Sequence, residues 1–220
     1  MLVNHQYKFL FVHIQKTAGS SITGKLLSLP GTVRIANQHS FVSHVDMSPY
    51  RNYYKFCFVR NPWDRLVSWW NMMESKGDHN DFSHYLLKAG DFNAFLSRTA
   101  IINETMGNDK LLTYYPKSIA FNQLDYITGT DGLVSVDFVG RFENLRDDFK
   151  AVCEHLGIPF SLPHMNKGKQ AKYWNYYTDE SREKVRQLYK RDIDYFNYAF
   201  QPAPARKSRL SRLGQLFRWS

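Results

Sequence analysis

Residues 9–14, Phe9-Leu-Phe-Val-His-Ile14, form a short unbroken apolar run with aromatic members. Such a run is the pattern of a strand buried on both faces. After the loop Gln15-Lys-Thr-Ala-Gly19, apolar residues recur at Ile22, Leu26 and Leu29, which is helical spacing, and Pro30-Gly31 stops that helix. A second run, Lys55-Phe-Cys-Phe-Val-Arg60, leads straight into Asn61-Pro62, an N-cap residue followed by proline in the first turn. Strand, loop and helix thus occur twice, the grammar of a parallel α/β sheet. The expectation is one α/β domain with a mainly parallel sheet and helices on both faces. Residues 55–59 should lie beside residues 9–14.

Farther along, residues 82–88 and 92–98 read as short helices joined by polar loops. Residues 124–128 and 133–139 flank Gly129-Thr-Asp-Gly132, a hairpin signal. One helix is expected over 147–156, closed by Gly157 and Pro159. Another starts at Thr178, with Asp179 and Glu180 in its first turn. Between them, Pro163-His-Met-Asn-Lys-Gly-Lys169 is rich in polar groups and breakers. This reading puts the domain over residues 1–201 and a basic tail over residues 202–220.

Composition narrows the class. In 220 residues, 43% are hydrophobic and 22% charged, which excludes wholesale disorder and allows a core without staples. Two cysteines, Cys57 and Cys153, are too few for a disulfide framework or a zinc site, and a reducing compartment follows. The net charge of +9 is uneven, because the last twenty residues hold Arg206, Lys207, Arg209, Arg212 and Arg218 without an acid. The body keeps +4, which suits an anionic ligand and does not demand nucleic acid. No apolar run approaches the roughly 18 residues of a membrane span, and the N-terminus lacks the features of a signal peptide. A cytoplasmic protein is expected. In the tail, Leu210, Leu213, Leu216 and Phe217 alternate with arginines, as in a basic amphipathic helix suited to peripheral membrane contact. A disordered solubilising tail is the other reading.

Two stretches carry candidate chemistry. A buried strand feeding a Gly- and Ser-containing turn at a helix N-terminus is a ready anion site. Here backbone N–H groups of Thr17, Ala18, Gly19, Ser20 and Ser21 would face one concavity, with Lys16 as a mobile cation. A tight strand-to-helix turn with a solvated lysine would have the same sequence. The stretch also nearly matches a triphosphate-binding loop, Gly19-Ser-Ser-Ile-Thr-Gly24-Lys25. Its next position is Leu26, where Ser or Thr must hold Mg²⁺, and Ile22 and Leu26 fit a buried helical stripe better. An ATP-dependent kinase or NTPase is therefore a rival and not the first reading.

The second stretch is Phe58-Val-Arg60-Asn-Pro-Trp-Asp-Arg-Leu-Val-Ser68. Turned at about 100° per residue, Asn61, Asp64, Arg65, Ser68 and Asn71 share one arc, and Trp63, Leu66, Val67 and Trp70 the other. Arg60 stands at the mouth of the polar arc, so Arg60 and Ser68 can approach one phosphate. An ordinary amphipathic helix with Asp64 paired to Arg65 or Ser68 is the bland alternative. Both stretches are strand-to-helix junctions at the carboxyl edge of one sheet. Two anion sites side by side there suit a nucleotide with phosphates at its 5′ and 3′ ends, a P-loop-like nucleotide site. A non-catalytic basic binding module is the remaining rival.

Phe11-Val-His-Ile-Gln-Lys-Thr-Ala-Gly-Ser-Ser21 and Phe56-Cys-Phe-Val-Arg-Asn-Pro-Trp-Asp-Arg-Leu-Val-Ser68 resemble the two cofactor motifs of sulfotransferases. The resemblance is to the branch holding the carbohydrate and heparan sulfate 2-O-sulfotransferases and their bacterial relatives. It continues in Phe138-Val-Gly-Arg-Phe-Glu-Asn-Leu145, in His164-Met-Asn-Lys167 and in residues 189–200. Gln15 departs from it, standing where relatives often carry proline. The resemblance implies 3′-phosphoadenosine 5′-phosphosulfate as donor and no metal. Lys16 and the backbone of Thr17 to Ser21 would hold the phosphosulfate, Arg60 and Ser68 the 3′-phosphate, and Lys167 would close over the nucleotide. The acceptor would be a hydroxyl, on a glycan or glycolipid. It also places the family's catalytic base in the interval holding His39, in Asn37-Gln-His-Ser-Phe41, with His44 as the fallback. His13 reads as a satisfied core residue. The expected protein is a soluble, bacterial-type member.

Overall fold

The computed structural model describes residues 1–76, 90–106, 117–162 and 172–200. Its sheet has five strands, β1 (Leu2–Asn4), β2 (Phe9–Val12), β3 (Thr32–Arg34), β4 (Tyr54–Val59) and β5 (Phe138–Arg141), in the order β3-β1-β2-β4-β5. The two strands expected from their apolar runs are neighbours. β2 and β4 pair in parallel with Phe11 opposite Phe56 and Val12 opposite Cys57. β5 extends the parallel half, with Phe138 opposite Phe56 and Arg141 opposite Val59.

The other half is antiparallel, so the sheet is mixed and not mainly parallel. β1 pairs antiparallel with both β2 and β3. Each of these added strands has three residues, too short for a period-2 pattern to show. Asn4 sets the corner between β1 and β2. Its Oδ1 accepts from the N–H groups of Gln6 and Tyr7, each at 2.9 Å, an Asx turn. Its Nδ2 donates to the Pro30 carbonyl and to Thr32 Oγ1, which ties β3 to the same corner.

Helices cover both faces. Phe9 and Phe11 of β2 and Phe56 and Phe58 of β4 pack against Ile22 and Leu26 of α1 (Gly19–Leu27) and against Phe149 and Val152 of the later helix Leu145–Leu156. Leu10, Val12, Cys57 and Val59 point to the opposite face, against Phe41, Tyr126, Ile127 and Phe196. Both faces of the central strands are therefore apolar, which is why their runs lack alternation. A third cluster joins Trp63, Leu66, Trp69 and Trp70 of α2 (Pro62–Lys76) to Phe95 and Leu96 of α3 (Phe92–Met106) and to Val185.

The expected hairpin over residues 124–139 is reduced to its turn, where Gly129 N–H donates to the Leu133 carbonyl at 2.8 Å, and its two strands do not form. Gln123–Ile127 is a helix, α4, opened by a capping box between Asn122 and Asp125. Asp192, from far along the chain, accepts from the N–H groups of Gln123 at 2.7 Å and Leu124 at 2.9 Å. Those two helix-end donors gain a carboxylate there, and local β propensity is overridden. The Thr128–Val134 pairing is an isolated bridge, and β5 belongs to the parallel half of the sheet.

The remaining helices follow their signals. α5 (Leu145–Leu156) ends on Gly157 at φ 64°, and α6 (Asp179–Leu188) starts with a Thr178–Ser181 capping box. α7 (Lys190–Tyr195) follows at once. The helix expected over 82–88, Lys167 with its loop, and the tail 202–220 lie outside the described residues. Among the described residues no helix is long and apolar enough to cross a membrane.

Candidate active site

Because β2 and β4 are adjacent and parallel, the loops after them open side by side. Between them lies a cleft of about 570 Å³, bordered by Gln15, Lys16, Ala18, Gly19 and Ser20 from the first loop. Arg60 and Ser68 border it from the second, and His13, Gln38 and His39 stand beside them. The volume is in the range of ligand clefts, about 300–1,000 Å³.

The first loop is held in a strained shape. Lys16 and Ala18 both adopt left-handed backbone, at φ 66° and 67°. Each such residue costs on the order of 1–2 kcal/mol, so surrounding contacts must impose it. Side-chain bonds impose it: Thr17 Oγ1 donates to the Ile14 carbonyl at 2.9 Å, and Arg65 Nε donates to the Gln15 carbonyl at 3.1 Å. Arg60 Nη1 donates to the Lys16 carbonyl at 3.3 Å. At the start of α1, the N–H groups of Gly19 and Ser20 make no backbone hydrogen bond among the described residues, whereas Ser21 N–H is used on the Ala18 carbonyl at 3.1 Å. Thr17 is buried and Ser21 does not border the cleft. Left-handed turns ahead of a helix with unused N–H groups are the form of an anion nest.

At the second junction, Asn61 caps α2 by accepting from Trp63 N–H, as its sequence position suggests. Asp64 pairs with Arg60, Nε to Oδ2 at 2.8 Å, and not with Arg65 or Ser68. Arg65 leaves the expected polar arc altogether. It is buried, and its Nη1 donates to the Phe121 carbonyl at 3.1 Å. Phe142 lies under the Arg60 guanidinium, 3.8 Å from the ring centre. Gln123 grips the Arg60 backbone from both sides, accepting from its N–H and donating to its carbonyl, each at 2.8 Å.

The histidines form a pair. Their rings meet edge to face with centres 4.6 Å apart. His39 Nδ1 lies 3.0 Å from the His13 carbonyl, which can only accept, so the Nδ1 proton stays there and Nε2 keeps its lone pair. Gln38 Nε2 donates to His13 Nδ1 at 2.9 Å, which likewise fixes a neutral His13. Burial pushes His13 down to about 3, helped by the charges of His39, the N-terminal amine and Arg34. Burial also pushes His39 down to about 4 against the bond it donates to the His13 carbonyl, with the amine, Arg65 and Arg34 adding to the fall. His44 is exposed against Phe41 and does not border the cleft.

Two imidazoles with lowered pKa bind fewer protons folded than unfolded. Their contribution to stability is complete above about pH 6.5 and is lost as pH falls toward 4. Between pH 7 and 4.5 we expect a loss of roughly 2–3 kcal/mol from this pair, below the full linkage value because His39 is partly open to solvent. Urea titrations at the two pH values check it. A His13→Gln, His39→Gln double variant should lose that part of the pH dependence, and an unchanged slope would refute the account.

A family model described as the sulfotransferase family matches residues 1–199. The chain belongs to the sulfotransferase family. It is also 24% identical over 183 residues to "Carbohydrate sulfotransferase 14" of Danio rerio, a match covering 72% of this chain and 48% of the relative. The chain thus spans about half the length of that relative. No solved structure matches the chain significantly.

For a sulfotransferase, the residues singled out in the sequence converge well: Lys16, Ala18, Gly19, Ser20, Arg60, Ser68 and His39 all border one cleft. Four contributors were not legible. Gln38 gave no signal beyond its proximity to His39. Phe142 lies in a stretch that drew attention for its resemblance, but nothing marked it as the platform for Arg60. Gln123 and Asp192 support Arg60 from positions with no motif at all. The unused N–H groups and Lys16 of the first loop and Arg60 and Ser68 of the second give the cleft donors suited to anionic groups.

Proposed function

We propose that the cleft transfers a sulfuryl group from 3′-phosphoadenosine 5′-phosphosulfate to a hydroxyl of a carbohydrate acceptor. One observation carries the reading: a left-handed anion loop, an arginine–serine pair and a neutral histidine with a free Nε2 border the same cleft. The nucleotide supplies an activated sulfuryl group on a good leaving phosphate. Lys16 and the Gly19 and Ser20 N–H groups bind the phosphosulfate end and stabilise the charge that grows on the leaving oxygen. Arg60 and Ser68 bind the 3′-phosphate. Two of the Arg60 donors are engaged by Asp64 and the Lys16 carbonyl, and the others serve the ligand.

His39 Nε2 takes the proton of the acceptor hydroxyl while the new S–O bond forms and the bond to the bridging oxygen breaks. A pKa lowered to about 4 by burial keeps His39 neutral and available. The negative charge of bound nucleotide raises it again, which restores basicity when the substrate is present. The glycan acceptor rests on the name of the relative and on the resemblance. The buried free thiols of Cys57 and Cys153 fit the reducing, cytoplasmic setting we propose.

The kinase reading gains no support. Gly24 and Lys25 lie inside α1, Lys25 does not border the cleft, and Ile22 and Leu26 are buried as a helical stripe. Calorimetric titration with adenosine 3′,5′-bisphosphate, ATP–Mg²⁺ and an oligonucleotide separates the three classes. Bisphosphate should bind tightly without magnesium, and preference for ATP–Mg²⁺ or for the oligonucleotide would overturn the reading. In the same titration Arg60→Ala should weaken bisphosphate binding by about 1.5–3 kcal/mol, the size of a lost charged hydrogen bond. Equal affinity would remove Arg60 from the site.

A further inference from the structure

Gln15 combines deep burial with an unused carboxamide. The residue is 3% exposed, it borders the cleft, and among the described residues neither Nε2 nor Oε1 has a hydrogen-bond partner. Its backbone is anchored by Arg65 at the carbonyl, so the side chain starts from a fixed point beside Lys16. A buried amide with neither pole paired is destabilising relative to an apolar side chain of similar size, and native proteins rarely keep one without a use. Since both poles are unpaired, the conclusion is the same whichever way round the amide nitrogen and oxygen are assigned.

The two ends of the nucleotide already have cations and backbone donors. Charged phosphates are matched best by such groups. A sulfuryl group in transfer has its single charge spread over three oxygens. A neutral donor grips it without opposing its departure as a fixed cation would.

We propose that the Gln15 carboxamide recognises the sulfuryl group, so that the cleft distinguishes loaded donor from spent bisphosphate. Nε2 donates to a sulfuryl oxygen. Oε1 is left to accept from a hydroxyl of the acceptor, which has to approach the same sulfur. This rests on the donor assignment above, and the test separates the two.

The experiment is calorimetry on the full chain with 3′-phosphoadenosine 5′-phosphosulfate and with adenosine 3′,5′-bisphosphate, using wild type, Gln15→Leu and Gln15→Glu. Bisphosphate affinity should agree within about twofold between wild type and Gln15→Leu, because the spent nucleotide lacks the group that Gln15 touches. Affinity for the sulfated donor should fall roughly 5–20-fold in Gln15→Leu and further in Gln15→Glu, whose carboxylate repels the sulfuryl oxygens. The unfolding midpoint of ligand-free Gln15→Leu should equal or exceed that of wild type, since an unpaired buried amide has been removed. Equal weakening of both nucleotides, no weakening of the donor, or a lower midpoint would overturn the proposal. If wild type binds both nucleotides and only the discrimination is absent, this inference alone falls. If wild type binds neither, the donor assignment falls and takes this inference with it.

Discussion

His39→Ala should lose two to four orders of magnitude in sulfuryl transfer while binding adenosine 3′,5′-bisphosphate within about twofold of wild type. The rate loss is the usual size of a general-base contribution, roughly 3–5 kcal/mol of activation free energy. It is expected because Nδ1 of His39 is committed to the His13 carbonyl at 3.0 Å, leaving Nε2 as the acceptor at the cleft. Nucleotide affinity is spared because the cationic groups assigned to the phosphates are Lys16 and Arg60. The measurement is bisphosphate release from labelled donor in the presence of desulfated glycans, with a nucleotide titration alongside. Wild-type turnover in the variant would end the assignment. His44 would be a poor successor, since its exposed ring packs on Phe41 away from the cleft.

Gly19→Ala should destabilise the fold by roughly 3–5 kcal/mol and abolish nucleotide binding. A Cβ at position 19 would stand 1.9 Å from both Cδ2 and Nε2 of the His13 ring, far inside contact distance. The ring cannot swing away cheaply. Its Nδ1 is held by Gln38 at 2.9 Å, Thr23 Oγ1 lies 3.3 Å from the same atom, and His39 packs on its face. The added methyl therefore displaces either the histidine pair or the first turn of α1, and both border the site. Chemical denaturation of Gly19→Ala, of His13→Ala and of the double variant tests the cause. With the obstructing imidazole removed, the double variant should lose far less than the sum of the singles. Additive losses, or a Gly19→Ala protein as stable as wild type, would refute the packing account.

The difference between legible and illegible parts of this protein follows contact range. Phe9 to Ile14 and Lys55 to Val59 announced strands because burial on both faces demands unbroken apolar runs, and that demand is local. α1, α5 and α6 announced themselves through spacing and caps, such as Gly157 and Thr178. The hairpin expected over 124–139 keeps only its turn and one bridge, because Asp192, nearly seventy positions away, supplies acceptors to the first turn of α4. The strands β1 and β3 were invisible because three residues carry no period, and Asn4 sets them through four hydrogen bonds.

The same boundary runs through the site. Residue types and spacing were enough to name Lys16, Arg60 and Ser68, because a strand-to-helix junction presents its loop at the sheet edge in any α/β fold, whereas His39 was named only through the family resemblance. Folding alone settled how those groups act. Arg60 reaches back over 44 positions to hold the strained Lys16 loop, and Arg65 does the same for Gln15 over 50. The His13 carbonyl chooses the tautomer of His39 across 26 positions, and burial sets the pKa of both rings. Apolar periodicity and turn chemistry are properties of neighbours along the chain, so they can be read before folding. Tautomer, strain and an unpaired amide arise from partners that meet only when distant segments pack.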